Sequence, residues 1–258
     1  MAAPEQPEGG AGSVDRPARR RTIVGALVLS CMTAAGAAIG VLVVSRAGLP
    51  AAATTQGAVV ADIWRLLLGL AGAVAGVVLA FLGLAAWQAW RSRGGPEPEQ
   101  VEGDLRMELL YTAVPLVIVA VVFAASLRAS DELAVTPPAD ALTVEVTAFQ
   151  WGWRFEYPDG RSVTGTSQDP PELVLPVDRT VVLELRSADV VHSFFAPGFR
   201  TKLDVVPGRT NRLVIEPDHT GEYLGHCAEF CGLDHARMGF DVRIVSDAEY
   251  RRWAEEAS

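Results

Sequence analysis

The sequence predicts two kinds of structure in one 258-residue chain: membrane-spanning helices in the first half and an all-β sandwich or barrel in the second. Three observations predict it. The apolar share is 50%, close to that of ordinary soluble domains, yet the mean hydropathy is +0.23, so the apolar residues are gathered in blocks. Three long runs before residue 130 carry no charge. From Leu142 onward apolar and polar residues alternate instead, which is the period of a strand with one wet face.

The elements follow in chain order. Residues 1–21 form a polar, Pro- and Gly-bearing tail that ends in Arg19, Arg20 and Arg21. Thr22–Val44 is 23 residues without charge, long enough for a bilayer core of roughly 30 Å. It reads either as a transmembrane helix or as a cleaved leader. Its apolar core is longer than the roughly 7–15 residues of a secretory leader. Val28-Leu29-Ser30-Cys31 resembles a lipoprotein cleavage box only faintly, because the apolar run continues past Cys31.

Two further helices are expected near 66–90 and 109–127, with a polar loop over Gly94–Asp104 between them. Arg19–Arg21, Arg91 and Arg93 then belong on the cytoplasmic side, and the second half of the chain faces away from it. The helical region is expected over 22–130 and the outer domain over 131–258. In that domain Leu142–Thr147, Val181–Leu185, Asn211–Ile215 and Phe240–Val245 read as strands, and Pro158-Asp159-Gly160 and Pro207-Gly208 as turns. Short strands between turns suggest a compact antiparallel sandwich or barrel. Ser246 with Glu249 forms a capping box and predicts a short terminal helix over Ser246–Glu255.

Charge narrows the function. The chain carries −9, with a net of about +1 over 1–130 and −10 over 131–258. That excludes the basic footprint of a nucleic-acid binder. Three Cys are too few for a disulfide-stapled miniprotein.

The chemistry concentrates between Gly225 and Met238. Cys227, Cys231, His235 and Met238 place two thiols, an imidazole and a thioether within twelve positions, and His192 lies upstream on what reads as a neighbouring loop. Thiolate and thioether ligands favour copper, and imidazole suits it. By residue type several readings stand. The two Cys could pair as a disulfide in an oxidising compartment. With two His they could hold zinc, although zinc rarely takes a thioether. A mononuclear blue-copper site would leave one Cys over. Two thiolates bridging two copper ions use the whole set.

The segment Cys227-Ala228-Glu229-Phe230-Cys231-Gly232-Leu233-Asp234-His235-Ala236-Arg237-Met238 resembles the dinuclear copper (CuA) motif of cytochrome c oxidase subunit II, C-x-E-x-C-G-x-x-H-x-x-M. His192-Ser193-Phe194, followed by Lys202, Asp204 and Pro207-Gly208-Arg209, is similar to the same family's upstream pattern. Gln150-Trp151-Gly152-Trp153 resembles its aromatic strand, and Glu108 to Pro115 its membrane motif, with Tyr111 where the family has Trp. The matches run in the family's order from about 105 to 245.

The resemblance implies a cupredoxin-like CuA domain outside a bacterial plasma membrane, in a multi-pass subunit of a haem-copper oxidase. It implies copper ligation by His192, Cys227, Cys231, His235 and Met238 and by the Glu229 carbonyl. It implies that the Glu229 carboxylate helps hold magnesium at the border with subunit I. Trp151 becomes the point of electron entry. Glu156, Asp159 and Asp189 fall where the family presents carboxylates to cytochrome c. Asp204 and Arg209 fall at the subunit I border, unless they form an ion pair within their turn. Glu108 falls near a proton pathway. Haem would belong to subunit I only, and subunits I and III, cytochrome c and the bilayer would be partners. No Cys-x-x-Cys-His motif occurs, so the donor is expected to be a separate protein. The alternatives are the CuA-containing subunit of a nitric oxide reductase and a membrane-tethered copper carrier.

Overall fold

A computed structural model describes residues 27–28, 30–40, 42, 51–91 and 103–256. The expected tail over 1–21, with its Arg19–Arg21 flank, and the loop residues 92–102 lie outside them. The chain divides into two compact units, residues 1–43 with 68–100 and residues 44–67 with 101–258.

In the first unit an apolar helix, α1 (Ser30–Gly40), covers the middle of the expected 22–44 segment. It is shorter than the roughly 20 residues a crossing needs. The ends of that segment are largely outside the described residues. α1 packs on α2 (Thr55–Arg91) where both backbones are bare. A Cβ on Gly36 would lie 2.1 Å from the Gly72 carbonyl oxygen, so only glycine permits this approach.

α2 has 37 residues and α3 (Leu105–Leu133) has 29, or about 55 Å and 43 Å at a rise of about 1.5 Å per residue. Both are long and apolar enough to cross a membrane. Both extend beyond the expected 66–90 and 109–127, because a charge ends a charge-free run without ending a helix. α2 starts where Thr54 Oγ1 accepts the Gly57 N–H at 3.0 Å, and its Asp62 and Arg65 pair one turn apart. α3 starts where the Asp104 side chain accepts from the Arg106 N–H at 2.9 Å. Pro115 lies inside α3, and large apolar residues such as Leu109, Leu116, Val119 and Phe123 along it are more than half exposed. In water such a helix would be unstable, whereas in lipid it is matched to its solvent.

The second unit contains a β-sandwich. One sheet runs in the order β3 (Ser162–Thr166), β2 (Gly152–Glu156), β1 (Leu142–Phe149), β5 (Val181–Ser187), β8 (Asn211–Ile215). The other runs β4 (Glu172–Pro176), β10 (Gly239–Val245), β9 (Gly221–Cys227), β6 (His192–Ala196), β7 (Thr201–Val205). β1 alternates buried and half-buried residues along its whole length, as its sequence predicts. The expected all-antiparallel pairing needs correcting: β1 pairs with β5, and β10 with β4, in parallel. Three strands separate β1 from β5 in sequence, so the chain crosses between sheets before it returns, and a crossover delivers a parallel neighbour.

The inner faces meet in an aromatic core. Trp153, Phe155, Phe194, Phe199 and Phe240 are fully buried. The Phe194 and Phe240 rings stack at 4.7 Å, and Trp153 meets Phe240 edge-on at 5.3 Å. The terminal helix α4 (Asp247–Glu255) is capped by Ser246, whose hydroxyl accepts from the Glu249 N–H. The Glu249 side chain does not complete the box but binds Arg243 at 3.0 Å.

The start of α2 is stitched to this sandwich. Ala53 donates to the Gly198 carbonyl, Thr55 to that of Glu216, and the Glu216 N–H to Gln56 Oε1 at 2.9 Å. Thr54 and Gln56 are buried.

Candidate metal centre

β6 and β9 pair through only Phe194 with Cys227 and Phe195 with His226. That short register places His192, at the start of β6, beside Cys227, at the end of β9. Beyond Cys227 the chain turns away, held by the Ala228 N–H on the Ser193 carbonyl at 3.0 Å. It returns through a tight turn over His235–Arg237, and the Cys227 N–H closes the loop on the Met238 carbonyl at 2.9 Å. Gly232 sits inside this loop at φ +121, where a side chain would be strained, and a Cβ there would come within 3.1 Å of Trp151.

Cys227 Sγ lies 3.8 Å from His192 Nδ1, 3.8 Å from Cys231 Sγ and 3.2 Å from the Glu229 carbonyl oxygen. Cys231 Sγ lies 3.7 Å from His235 Nδ1 and 3.7 Å from Met238 Sδ. The donor atoms of His192, Cys227 and Cys231 are all within 4.8 Å of one another. The two thiols are free, so the disulfide reading does not describe this structure. His192 is fully buried, and Cys227, Cys231 and Met238 are nearly so.

The charges fit a metal. Burial pushes the Cys227 thiol up, but hydrogen bonds from His192 and from backbone N–H groups outweigh it and leave the thiol at about 6. Burial and then the neighbouring Cys227 charge push Cys231 up to about 12. Without a cation, two thiolates this close cannot both ionise readily. Burial would lower the His192 imidazole, yet its bonds to Cys227 and Asp189 raise it. The ring turns Nδ1 toward the thiols, while Nε2 lies 2.8 Å from Asp189 Oδ1. A neutral imidazole with its proton on Nε2 would leave the Nδ1 lone pair for a metal. Two thiols flanked by two imidazoles, a thioether and a carbonyl form a soft donor set, and it fits copper.

A family model described as "Cytochrome C oxidase subunit II, periplasmic domain" matches residues 142–245. A Streptomyces coelicolor protein named "Probable cytochrome c oxidase subunit 2" is 33% identical over 97% of this chain and 91% of its own length. The chain belongs to the cytochrome c oxidase subunit II family. Subunit 2 of Cereibacter sphaeroides is 32% identical over 71% of this chain and 72% of its own. A crystal structure of the periplasmic domain of subunit II from Bradyrhizobium japonicum is 36% identical, with a TM-score of 0.43, and covers 48% of this chain and 96% of that one. As a member of the subunit II family, the chain is a membrane-anchored component of an oxidase with an extracytoplasmic β-sandwich.

The other expected residues scatter around this subunit II domain. Trp151 is half-buried, and its indole N–H donates to the Cys231 carbonyl at 3.2 Å. Glu156 lies at the end of β2, opposite Glu145, and Asp159 is in an exposed turn. Asp204 is on β7, opposite Ser193. Its partner is Lys202 Nζ at 3.8 Å; no ion pair with Arg209 occurs among the described residues, so the pair expected within that turn is not formed. Glu108 is exposed in the first turn of α3.

Two residues make contacts at the donor set that the sequence reading did not anticipate. Gln150 donates its side-chain amide to the Cys231 carbonyl at 2.7 Å. Asp189, expected as a docking carboxylate, also binds the His192 ring. Its position three residues before a metal-type His was the available signal, since ligand imidazoles commonly give their second N–H to a carboxylate.

Proposed function

We propose that this chain is the electron-entry subunit of a haem-copper cytochrome c oxidase, taking electrons from cytochrome c at a dinuclear copper (CuA) centre and passing them to haem in subunit I. The observation that carries the reading is the convergence of the Cys227 and Cys231 sulfurs, 3.8 Å apart, with His192, His235, Met238 and the Glu229 carbonyl grouped around them. Bound copper would supply one-electron chemistry. The protein supplies a donor set buried at His192, Cys227, Cys231 and Met238 and half-buried at His235, which limits rearrangement between redox states and leaves no position for a substrate. Burial also disfavours the copper-carrier alternative, because a carrier needs ligands that exchange at the surface.

Trp151 joins this donor set to the surface, being half-exposed and bonded to the backbone of Cys231. The net charge of about −10 over residues 131–258, to which Glu156, Asp159 and Asp189 contribute, steers a basic cytochrome c toward that face. The Glu229 carboxylate serves a magnesium ion at the subunit I border, beside Asp204 and Arg209. Glu108 stands at the entrance of a proton pathway in subunit I, and subunit III completes the assembly in a bacterial plasma membrane. The test is an optical and paramagnetic-resonance spectrum of the purified oxidase. An unpaired electron shared over two equivalent copper nuclei supports the reading. A mononuclear copper signal, or zinc in place of copper, overturns it.

A further inference from the structure

The hydrogen bonds beside the donor set close on themselves. Cys231 and Cys227 face each other at 3.8 Å, and Cys227 faces His192 Nδ1 at 3.8 Å. His192 Nε2 meets Asp189 Oδ1 at 2.8 Å. Asp189 Oδ2 accepts the Gln150 backbone N–H at 2.7 Å, and the Gln150 side-chain amide donates to the Cys231 carbonyl at 2.7 Å. Five residues from three separate stretches of chain thus form one ring. Asp189 Oδ1 also accepts the Val190 N–H at 2.6 Å, so both oxygens of this exposed carboxylate accept bonds from the chain itself.

We infer that Asp189 and Gln150 are positioning residues that couple the His192 ligand to the Cys231 ligand. The inference rests on the copper reading above. Asp189 fixes the His192 tautomer and the plane of its ring, and it strengthens the imidazole as a donor by drawing on the Nε2 proton. Gln150, together with Trp151, holds the Cys231 peptide and therefore the height of the second thiol. Because the Gln150 backbone is itself tethered to Asp189, a disturbance at either residue reaches both ligands. Trp151 follows Gln150 directly, so the same ring keeps the indole in register with the donor set. None of this depends on a partner protein.

The test uses the assembled oxidase with Asp189→Asn, Gln150→Met and both together. Three quantities are read: the midpoint potential of the copper centre, the hyperfine splitting of its paramagnetic signal, and copper retention against a chelator. Asp189→Asn raises the potential, since a weaker imidazole donor favours the reduced state. Each single variant alters the splitting and lowers copper affinity by roughly 10- to 100-fold, as outer-shell changes do. The double variant loses clearly less than the product of the two single losses, because both break one network.

Independent, multiplying effects overturn the ring. So does an Asp189→Asn enzyme with the native potential, splitting and retention that is slowed only in its salt-dependent reaction with cytochrome c. Should Asp189→Asn fail to assemble, Gln150→Met decides alone. It removes the amide bond to the Cys231 carbonyl and keeps the backbone bond to Asp189, so an unchanged splitting from it counts against the inference. A native enzyme without a dinuclear signal defeats the copper reading itself, and this inference with it.

Discussion

The indole N–H of Trp151 and the carbonyl oxygen of Cys231 meet at 3.2 Å, joining a half-exposed aromatic ring to the backbone of a buried thiol. If this is the route of entry, Trp151→Phe keeps most of the packing and removes the bond. Reduction by cytochrome c is expected to slow by at least about tenfold, a barrier increase of roughly 1.4 kcal/mol. The copper absorption should stay native. Stopped-flow mixing with reduced cytochrome c checks this, and an unaltered rate removes Trp151 from the path.

Cys231→Ser takes away one of two facing sulfurs. Copper affinity should fall by more than the roughly 10- to 100-fold of an outer-shell change, and the shared-electron signal should disappear. Metal analysis and paramagnetic resonance read the loss, and circular dichroism of the same sample with a native β-sandwich spectrum separates it from misfolding.

Copper loading should weaken in acid. Both thiols must be thiolates to bind. Cys227, at about 6, has already lost its proton at neutral pH, whereas Cys231, at about 12, keeps its proton until a metal displaces it. From pH 8 down to 6 at least one proton competes, so affinity falls by about tenfold per unit; below 6 Cys227 takes up a second and the decline steepens. Chelator competition across pH measures the slope. A flat profile would mean that both thiols are already ionised.

Screening tests the acidic face. Raising ionic strength from about 0.01 M to 0.1 M shortens the Debye length from about 30 Å to about 10 Å. The second-order rate with a basic cytochrome c should fall steeply over that range. Replacing Glu156 and Asp159 with Gln and Asn should flatten the dependence. A rate indifferent to salt rules out docking there.

The junction between α2 and the sandwich depends on Gln56. Gln56→Ala leaves the Glu216 N–H without its acceptor at a buried site, which should cost about 1–3 kcal/mol. Gln56→Glu keeps an acceptor oxygen and should cost less. Thermal unfolding of the full chain in detergent compares the two, and equal losses would mean that the bond contributes nothing.

Much of this was legible beforehand because it depends on local pattern. Charge-free runs mark α2 and α3, and alternation marks β1. The spacing of Cys227, Cys231, His235 and Met238 puts four donors on a single loop. Helix ends were less legible, because Thr54 and Asp104 cap helices that carry charges before their charge-free runs begin, Asp62 and Arg65 in α2 and Arg106 and Glu108 in α3. The parallel pairs β1–β5 and β10–β4 have no local signature, since strand direction is set by where the chain re-enters a sheet. Asp189 shows why outer-shell roles escape a linear reading: its carboxylate looks like any surface acid until the fold turns it onto a ring.

By itself the sequence determined which atoms were available: soft donors in the second half, apolar length in the first, and a negative outer surface. Only the tertiary structure decided which of them meet. His192 stands 35 residues before Cys227, and Gln150 stands 81 before Cys231; the β6–β9 register and the turn ahead of β2 bring them within hydrogen-bond or ligand range. The reason is physical. Side-chain chemistry is a property of each residue, but its use depends on distances that strand pairing and core packing fix between segments far apart in the chain.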